Sequence, residues 1–184
     1  FGTGGKVTTD FVNANDCIYS VLLQSGGKIV VSGSTTPGSS YYAAARYLSD
    51  GSPDLTFGTA GKMSIGSGST LDICYGMAMQ ADSSIVLAGS HHNSFIDEYM
   101  FVRLTKLGML DNTFGTNGIK VISKTVPSEV LTDVVIQPDG KIVVGGYTNI
   151  NSLDRPAIIR LLADGSLDTT FGVGGKLNIA FQRT

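Results

Sequence analysis

The side chains best suited to bind a metal in this sequence are two adjacent histidines. His91 and His92 are the whole histidine content of the 184 residues, and Asp97 and Glu98 follow them. Imidazole and carboxylate groups are ligands for transition metals such as zinc. Adjacent residues on an extended segment point apart, which is poor geometry for one ion. We therefore expect a solvated loop without a metal here, and this pair is the only histidine base for a Ser–His or Cys–His nucleophile system.

Acidic residues are the second candidates for chemistry. Asp10, Asp16, Asp72 and Asp133 lie near the ends of predicted strands, but no two stand out as an acid–base pair. The Asp-Gly turns lack the alternating acidic residues of a calcium loop, and turn chemistry explains them. We expect no catalytic residue, no metal and no cofactor. A glycan-active enzyme fragment is the least favoured of the functional alternatives.

One charged pair recurs three times at the same spacing. In each case an arginine precedes an aspartate by eight residues, at Arg46 and Asp54, Arg103 and Asp111, and Arg160 and Asp168. The intervening turn can bring the two side chains of each pair together. A functional site is expected once, whereas threefold recurrence favours a structural ion pair. An exposed pair of this kind contributes only about 0–1 kcal/mol.

Aromatic and imidazole side chains flank the most variable loops. Aromatic rings in such a position can stack on a sugar or anchor a protein partner. The alternative is that they form a small core of the loops themselves. The predicted ligand-binding residues are Tyr41, Tyr42, His91, His92, Phe95, Tyr99 and Tyr147.

These residues lie on an internal repeat of about 57 residues. A Phe-Gly pair recurs at Phe1, Phe57, Phe114 and Phe171, with Gly, Ile, Arg and Asp residues in the same register between them. Each repeat contains segments that predict four short strands, and the middle segments are almost continuously apolar. Such strands are covered on both faces, as in a β-propeller blade between its neighbours. A β-solenoid or β-prism is the alternative architecture.

The predicted organisation is an all-β protein of four-stranded antiparallel blades in a single repeat domain, 1–184. The blade repeats are predicted at 1–56, 57–113 and 114–170, with 171–184 as the start of a fourth repeat or a closing strand. The predicted first strands follow the Phe-Gly pairs, at 6–11, 62–65 and 120–123. The segment 176–181 is expected to begin a fourth blade.

The third repeat carries the motifs of a known family. Residues 139–146 read Asp-Gly-Lys-Ile-Val-Val-x-Gly, and residues 160–176 read Arg-Leu-x-x-Asp-Gly-Ser-Leu-Asp-x-Thr-Phe-Gly-x-x-Gly-Lys. This pattern resembles the delta-60 repeat, a largely uncharacterised family found mostly in bacterial proteins. The resemblance implies a β-propeller fold and secretion or surface display, and it implies no catalytic residues. The second repeat departs from the pattern at Ser83-Ser84 and at Lys106-Leu107-Gly108.

Composition narrows the possible partners. The net charge is −2, which gives no basic surface for nucleic acid, and no apolar run is long enough to span a bilayer. Charged residues make up only 15% of the chain, which favours an extracellular or cell-surface location. Cys17 and Cys74 are predicted to point to opposite strand faces on neighbouring blades, so we expect two unpaired, buried thiols.

Three blades are too few to close a propeller, since closed rings have about four to eight. The chain begins with Phe1 and not Met, so we expect a preceding part. Either further repeats of a longer chain complete the ring, or two copies join head to tail into a six-bladed dimer. The ends of the blades that carry variable loops form the expected surface for a protein or glycan ligand. The functional prediction is a non-enzymatic binding or scaffolding module, with a structural subunit of a surface or filament assembly as the alternative.

Overall fold

Twelve β-strands make up almost all of the regular structure in the described part of the chain. The computed structural model describes residues 1–66, 71–93, 96–124, 129–150 and 153–179. The strands are β1 (Asn15–Leu23), β2 (Ile29–Thr36), β3 (Tyr41–Tyr47), β4 (Lys62–Ile65), β5 (Leu71–Met79), β6 (Ile85–Asn93), β7 (Ile96–Leu104), β8 (Ile119–Ser123), β9 (Glu129–Ile136), β10 (Ile142–Ile150), β11 (Leu153–Leu161) and β12 (Lys176–Asn178).

The strands form three antiparallel sheets, which we call the first, second and third blades. Their orders are β1-β2-β3-β4, β5-β6-β7-β8 and β9-β10-β11-β12. In β6 of the middle blade, four successive residues, Ile85 to Ala88, are all buried. Successive side chains of a strand point to opposite faces, so both faces of this blade are covered. The predicted all-β fold with propeller-like blades is confirmed.

Each blade takes its fourth strand from the repeat that follows in the sequence. The segment Lys62–Ile65 pairs with β3 and not with the strands after it, and β8 pairs with β7 in the same way. The chain reverses through the turn after β3, and Arg46 N–H donates to the carbonyl of Gly61 at 3.0 Å, which starts the pairing. Strand pairing is therefore offset by one strand from the sequence repeats.

The two ends of the chain show the same offset. Residues 176–178 form β12 and pair with β11, so they complete the third blade as a closing strand and do not begin a fourth blade. The predicted strand at 6–11 is also absent, and only an isolated bridge between Thr3 and Lys6 is present. The equivalent segments pair with a strand that precedes them, and residues 6–11 follow no such strand. We call residues 1–11 the arm.

The first strands of neighbouring blades lie against one another, β1 against β5 and β5 against β9. The approach of β5 to β9 is close, because a Cβ on Gly76 would lie 3.1 Å from the Cα of Asp133. A register shift interrupts the pairing of each first strand with the second strand of its blade. The described residues include one short 3-10 helix, Ser25–Gly27, and no helix with the length and apolar character of a membrane span.

Candidate functional site

The recurrent arginine and aspartate form the predicted ion pair in every repeat. The distance from arginine Nε to aspartate Oδ2 is 2.8 Å for Arg46–Asp54, Arg103–Asp111 and Arg160–Asp168. The other oxygen of each aspartate accepts hydrogen bonds from the hydroxyl and amide of a threonine two residues later, at Thr56, Thr113 and Thr170. The pair closes the turn between the third and fourth strands, as the spacing predicted.

The same arginines join one blade to the next. Arg46 Nη1 donates to the carbonyl of Lys106 at 2.5 Å, and Arg103 Nη1 donates to that of Ala163 at 2.6 Å. Each guanidinium also lies over the phenylalanine that follows its turn, at 4.7 Å from the ring of Phe57 for Arg46. The arginines are thus the centre of a repeated junction with a structural role.

A backbone hydrogen bond completes each junction. The amide of the glycine after the phenylalanine donates to a turn carbonyl of the next blade, from Gly58 to Leu107 at 2.7 Å and from Gly115 to Asp164 at 2.9 Å. The arm repeats this contact, because Gly2 N–H donates to the carbonyl of Asp50 at 2.9 Å. It therefore docks on the first blade as the end of one blade docks on the next.

The junction aspartates are held in the ionised state. Burial alone would raise the pKa of Asp54, but hydrogen bonds from Lys28 and Thr56 and the charge of Arg46 outweigh it, and the pKa lies below its ordinary value. The threonine hydrogen bonds are the main cause of the lowered pKa of Asp111 and Asp168. Carboxylates that ionise so readily are poorly suited to donate a proton at neutral pH.

The opposite end of the blades holds a second set of equivalent residues, which we call the acid row. An acidic residue near the start of the first strand pairs across the sheet with a residue of the second strand. The pairs are Asp16 with Thr35, Asp72 with His91, and Glu129 with Thr148. Asp72 and Glu129 are buried, as are Thr35, His91 and Thr148.

Only the second blade places a histidine in the acid row. His91 Nδ1 lies 2.6 Å from Asp72 Oδ1, and its Nε2 lies 3.9 Å from Glu98 Oε2. His91 and His92 belong to β6, and His91 is buried, so the expected solvated loop is wrong at this position. A carboxylate that orients an imidazole is one component of a nucleophilic site. The nearby hydroxyl of Ser40 donates to the backbone carbonyl of Asp72 at 2.8 Å.

Within the described ranges, no three or more His, Cys, Asp or Glu side chains are grouped so that they could hold a metal ion.

The predicted ligand-binding aromatics separate into two groups. Tyr42 and Tyr99 are fully buried between blades, and burial is the largest cause of their strongly raised pKa. Tyr41 is half-buried, and Tyr147 is 40% exposed. His92 is half-buried, whereas Phe95 lies outside the described residues. The loop face therefore presents Tyr41, His92 and Tyr147, and the other two tyrosines pack blade against blade.

The acid row was not recognised as a set from the sequence. The sequence offers Asp16 and Asp72 as candidate acids together with Asp10 and Asp133, but Glu129 is not among these candidates. The signal was present, because Asp16, Asp72 and Glu129 keep the steps of 56 and 57 residues that separate the repeats.

Comparison with known proteins supports the assignment of the fold. The family described as "Domain of unknown function (DUF5122) beta-propeller" matches residues 24–57 and 137–171, which lie in the first and third repeats. These two matches support a β-propeller repeat family of unknown function, one that is similar to the delta-60 repeat. No curated protein matches the chain.

Proposed function

We propose that the chain is a non-enzymatic binding or scaffolding module that engages a protein or glycan ligand through its loop face. The observation that carries this proposal is the contrast between the two ends of the blades. At the junction end, the arginine–aspartate distance is 2.8 Å in all three repeats. At the loop end, equivalent positions carry different chemistry on the same framework. A uniform scaffold with diversified loops is the usual construction of a binding surface.

Three equivalent positions on the third strands illustrate this diversity. Tyr41 pairs with Thr35, Glu98 with His91, and Arg155 with Thr148. An aromatic, an acidic and a basic side chain thus stand at the same place in the three blades. Tyr147 adds an exposed ring on β10, which suits stacking on a sugar or anchoring of a partner.

A glycan array and affinity capture with crosslinking test the loop face. We expect Tyr147→Ala to reduce binding of the ligand so identified by about tenfold or more, as for an interface hot spot. Lys106→Ala is the matched control, because Lys106 is exposed at the junction end. Absence of any ligand in both assays, or equal loss in the control, would contradict the proposal.

A second candidate function is a structural subunit that assembles blade to blade. It is supported by the junction of the third blade, where the donors that bind the next blade elsewhere are available. Within the described residues, Arg160 Nη1 and Gly172 N–H have no hydrogen-bond partner. Further repeats of a longer chain, or a second copy in a six-bladed dimer, would supply the missing turn carbonyls.

Size-exclusion chromatography with light scattering tests the dimer. The arm already occupies the Asp50 carbonyl of the first blade, so head-to-tail closure requires the arm to leave that position. A dimer that dissociates in the Phe171→Ala variant is the expected result for closure. A monomer at every concentration contradicts self-closure and leaves further repeats as the source of the partner turn.

An extracellular or cell-surface location completes the proposal. Its support is the low share of charged residues, 15%, together with the resemblance to the delta-60 repeat. Fractionation of the native host with an antibody against the chain tests it, and recovery only from the cytoplasm would contradict it.

A further inference from the structure

A cavity of about 240 Å³ lies on the side of the first blade, between the arm and strands β1 to β3. Its lining includes Asp16, Ile18, Gly33 and Ala43. These four residues have equivalents in the other two blades. The equivalents show what the cavity is shaped to hold.

In the second blade, the equivalent positions lie near the hydroxyl of Tyr42 from the first blade. The Tyr42 hydroxyl donates to the carbonyl of Met100 at 2.9 Å, and a Cβ on Gly89 would lie 2.8 Å from that oxygen. Asp72 and Cys74 contribute to the raised pKa of Tyr42. The positions of these neighbouring residues correspond to those of Ala43, Gly33, Asp16 and Ile18 in the first blade.

The third blade receives a tyrosine in the same way. Tyr99 of the second blade is equivalent to Tyr42, and its pKa is raised by burial first and then by Glu129, the acid-row residue of the third blade. Tyr99 is 1% exposed. At both contacts between blades, a tyrosine from one blade thus lies against the next blade. We call the positions equivalent to Asp16, Ile18, Gly33 and Ala43 the socket.

The first blade has the socket but receives no tyrosine. Asp16 Oδ2 accepts a hydrogen bond from the amide of Phe11 at 2.9 Å, whereas Asp16 Oδ1 is buried and has no partner in the described part of the chain. An unsatisfied buried carboxylate oxygen is costly, so a donor is expected there.

The arm covers the mouth of the socket with a ring that lacks a hydroxyl. Lys62 Nζ lies 5.6 Å from the ring of Phe11, and Lys176 Nζ lies 5.5 Å from the ring of Tyr99. Phe11 therefore partly replaces the tyrosine but supplies no donor to Asp16. The cavity remains beneath it.

We propose that this cavity is a binding site for a tyrosine ring of a partner, with the phenol hydroxyl donating to Asp16. The partner is a blade of the same repeat type that carries tyrosine at the position of Tyr42 and Tyr99. A second copy of this chain does not supply it, because the third blade has Pro156 at that position. This site lies on the side of the first blade and is independent of the loop face.

Binding of 4-methylphenol, compared with toluene, tests the chemistry of the site. Amide resonances of Asp16, Gly33 and Ala43 are followed by NMR during the titrations. We expect 4-methylphenol to shift these resonances and to bind about tenfold more tightly than toluene, because only the phenol donates to the carboxylate. Equal affinities for the two probes, or shifts confined to the loops, would overturn the proposal.

Variants of Asp16 distinguish the contribution of the hydrogen bond to ligand affinity from that of the apolar cavity. Asp16→Ala is expected to weaken 4-methylphenol binding by about tenfold with little effect on toluene, and Asp16→Asn to have an intermediate effect. Asp139→Ala is the control, because Asp139 is exposed in a turn at the junction end. Circular dichroism confirms that each variant is folded. Unchanged phenol affinity in folded Asp16→Ala would contradict the assignment.

A longer chain tests the choice of partner. Placing before Phe1 a second copy of residues 15–56 in which Asp16 is changed to alanine supplies the first three strands of a further blade, including its own copy of Tyr42 but without the carboxylate of a second site. We expect the added tyrosine to fill the original cavity, abolish the shifts that 4-methylphenol causes in the original Asp16, Gly33 and Ala43 amides, and raise the melting temperature. The same chain with the added tyrosine changed to alanine should keep phenol binding. Retained phenol binding with the added tyrosine present, or dimerisation of the original chain that Asp16→Ala abolishes, would refute this partner.

Discussion

Gly108 and Gly26 share the same backbone angle but differ in what surrounds them. Both have φ of +76°, but a Cβ on Gly108 would lie 2.7 Å from ring carbons of Phe57, whereas nothing lies within 4 Å of one on Gly26. We expect Gly26→Ala to cost about 1 kcal/mol, since only the left-handed conformation is penalised. Gly108→Ala should cost about 3 kcal/mol, because the ring must also move. Urea unfolding measures both losses of stability. Equal losses would show that the ring of Phe57 moves aside without a cost in free energy.

The two cysteines are predicted to differ in reactivity. Cys17 is exposed, whereas Cys74 is fully buried, and burial raises its pKa to about 12. Because the thiolate is the reactive form, we expect a disulfide reagent at pH 8 to label one thiol in the folded protein and two after unfolding. Cys17→Ser should abolish labelling of the folded protein, and Cys74→Ser should leave it unchanged. Labelling of both thiols in the folded wild type would contradict the buried position of Cys74.

At this scale, sequence predicted local contacts better than contacts between strands. The arginine–aspartate pairs were correctly predicted because only a short turn separates their members. The unpaired state of both cysteines was also correct, but the expected burial of Cys17 was wrong, because Cys17 lies exposed on β1 of the first blade. The Asp72–His91 contact depends on the register shift between Cys74 and Gly76, which places Asp72 opposite His91 and not His92. No residue pattern in the sequence predicts that register shift.

The turn between β3 and β4 is expected to lose stability in acid. The folded-state pKa of Asp54 lies below the unfolded value of about 3.9. The stabilisation is therefore present above about pH 4 and is lost as the pH falls through the folded-state pKa. Asp54→Asn should cost about 3 kcal/mol at pH 7, because it leaves the buried Arg46 without its charged partner.

Urea unfolding of the wild type and Asp54→Asn at pH 7 and pH 2 measures this effect. The difference in unfolding free energy between the two proteins should shrink towards pH 2, because the carboxylate is then protonated in the unfolded chain, whereas its pKa in the folded protein is lower. A constant difference across this range would show that the charge of Asp54 has no part in holding the turn.

Among the elements, the strands themselves were largely predicted, but their grouping was not. The apolar segments in the middle of each repeat lie in the first three strands of every blade. The segment after each Phe-Gly pair was assigned to its own repeat, because sequence register shows where a repeat recurs and not where its hydrogen bonds go. The structure assigns these segments to the preceding blade, and the loop-end hairpins extend further than the apolar pattern indicates.

At the scale of the whole molecule, the burial of equivalent phenylalanines depends on whether another blade packs against their own. Phe114 is fully buried in the core, whereas Phe171 at the end of the third blade is only partly buried. We expect Phe114→Ala to cost about 4 kcal/mol, typical of a buried ring, and Phe171→Ala about 1 kcal/mol. Unfolding at low protein concentration measures both. Similar losses would mean that another surface covers Phe171 in solution.

The junction between blades depends on hydrogen bonds to peptide carbonyls more than on contacts with side chains of the next blade. The residues that supply the accepting oxygens are Lys106, Leu107, Ala163 and Asp164, which share no side-chain chemistry. A mutation at these sites leaves the accepting group in place, so the sequence of one unit is not tied to that of its neighbour. Genes of this kind can gain, lose or exchange units by recombination without the compensating changes that a side-chain interface would demand.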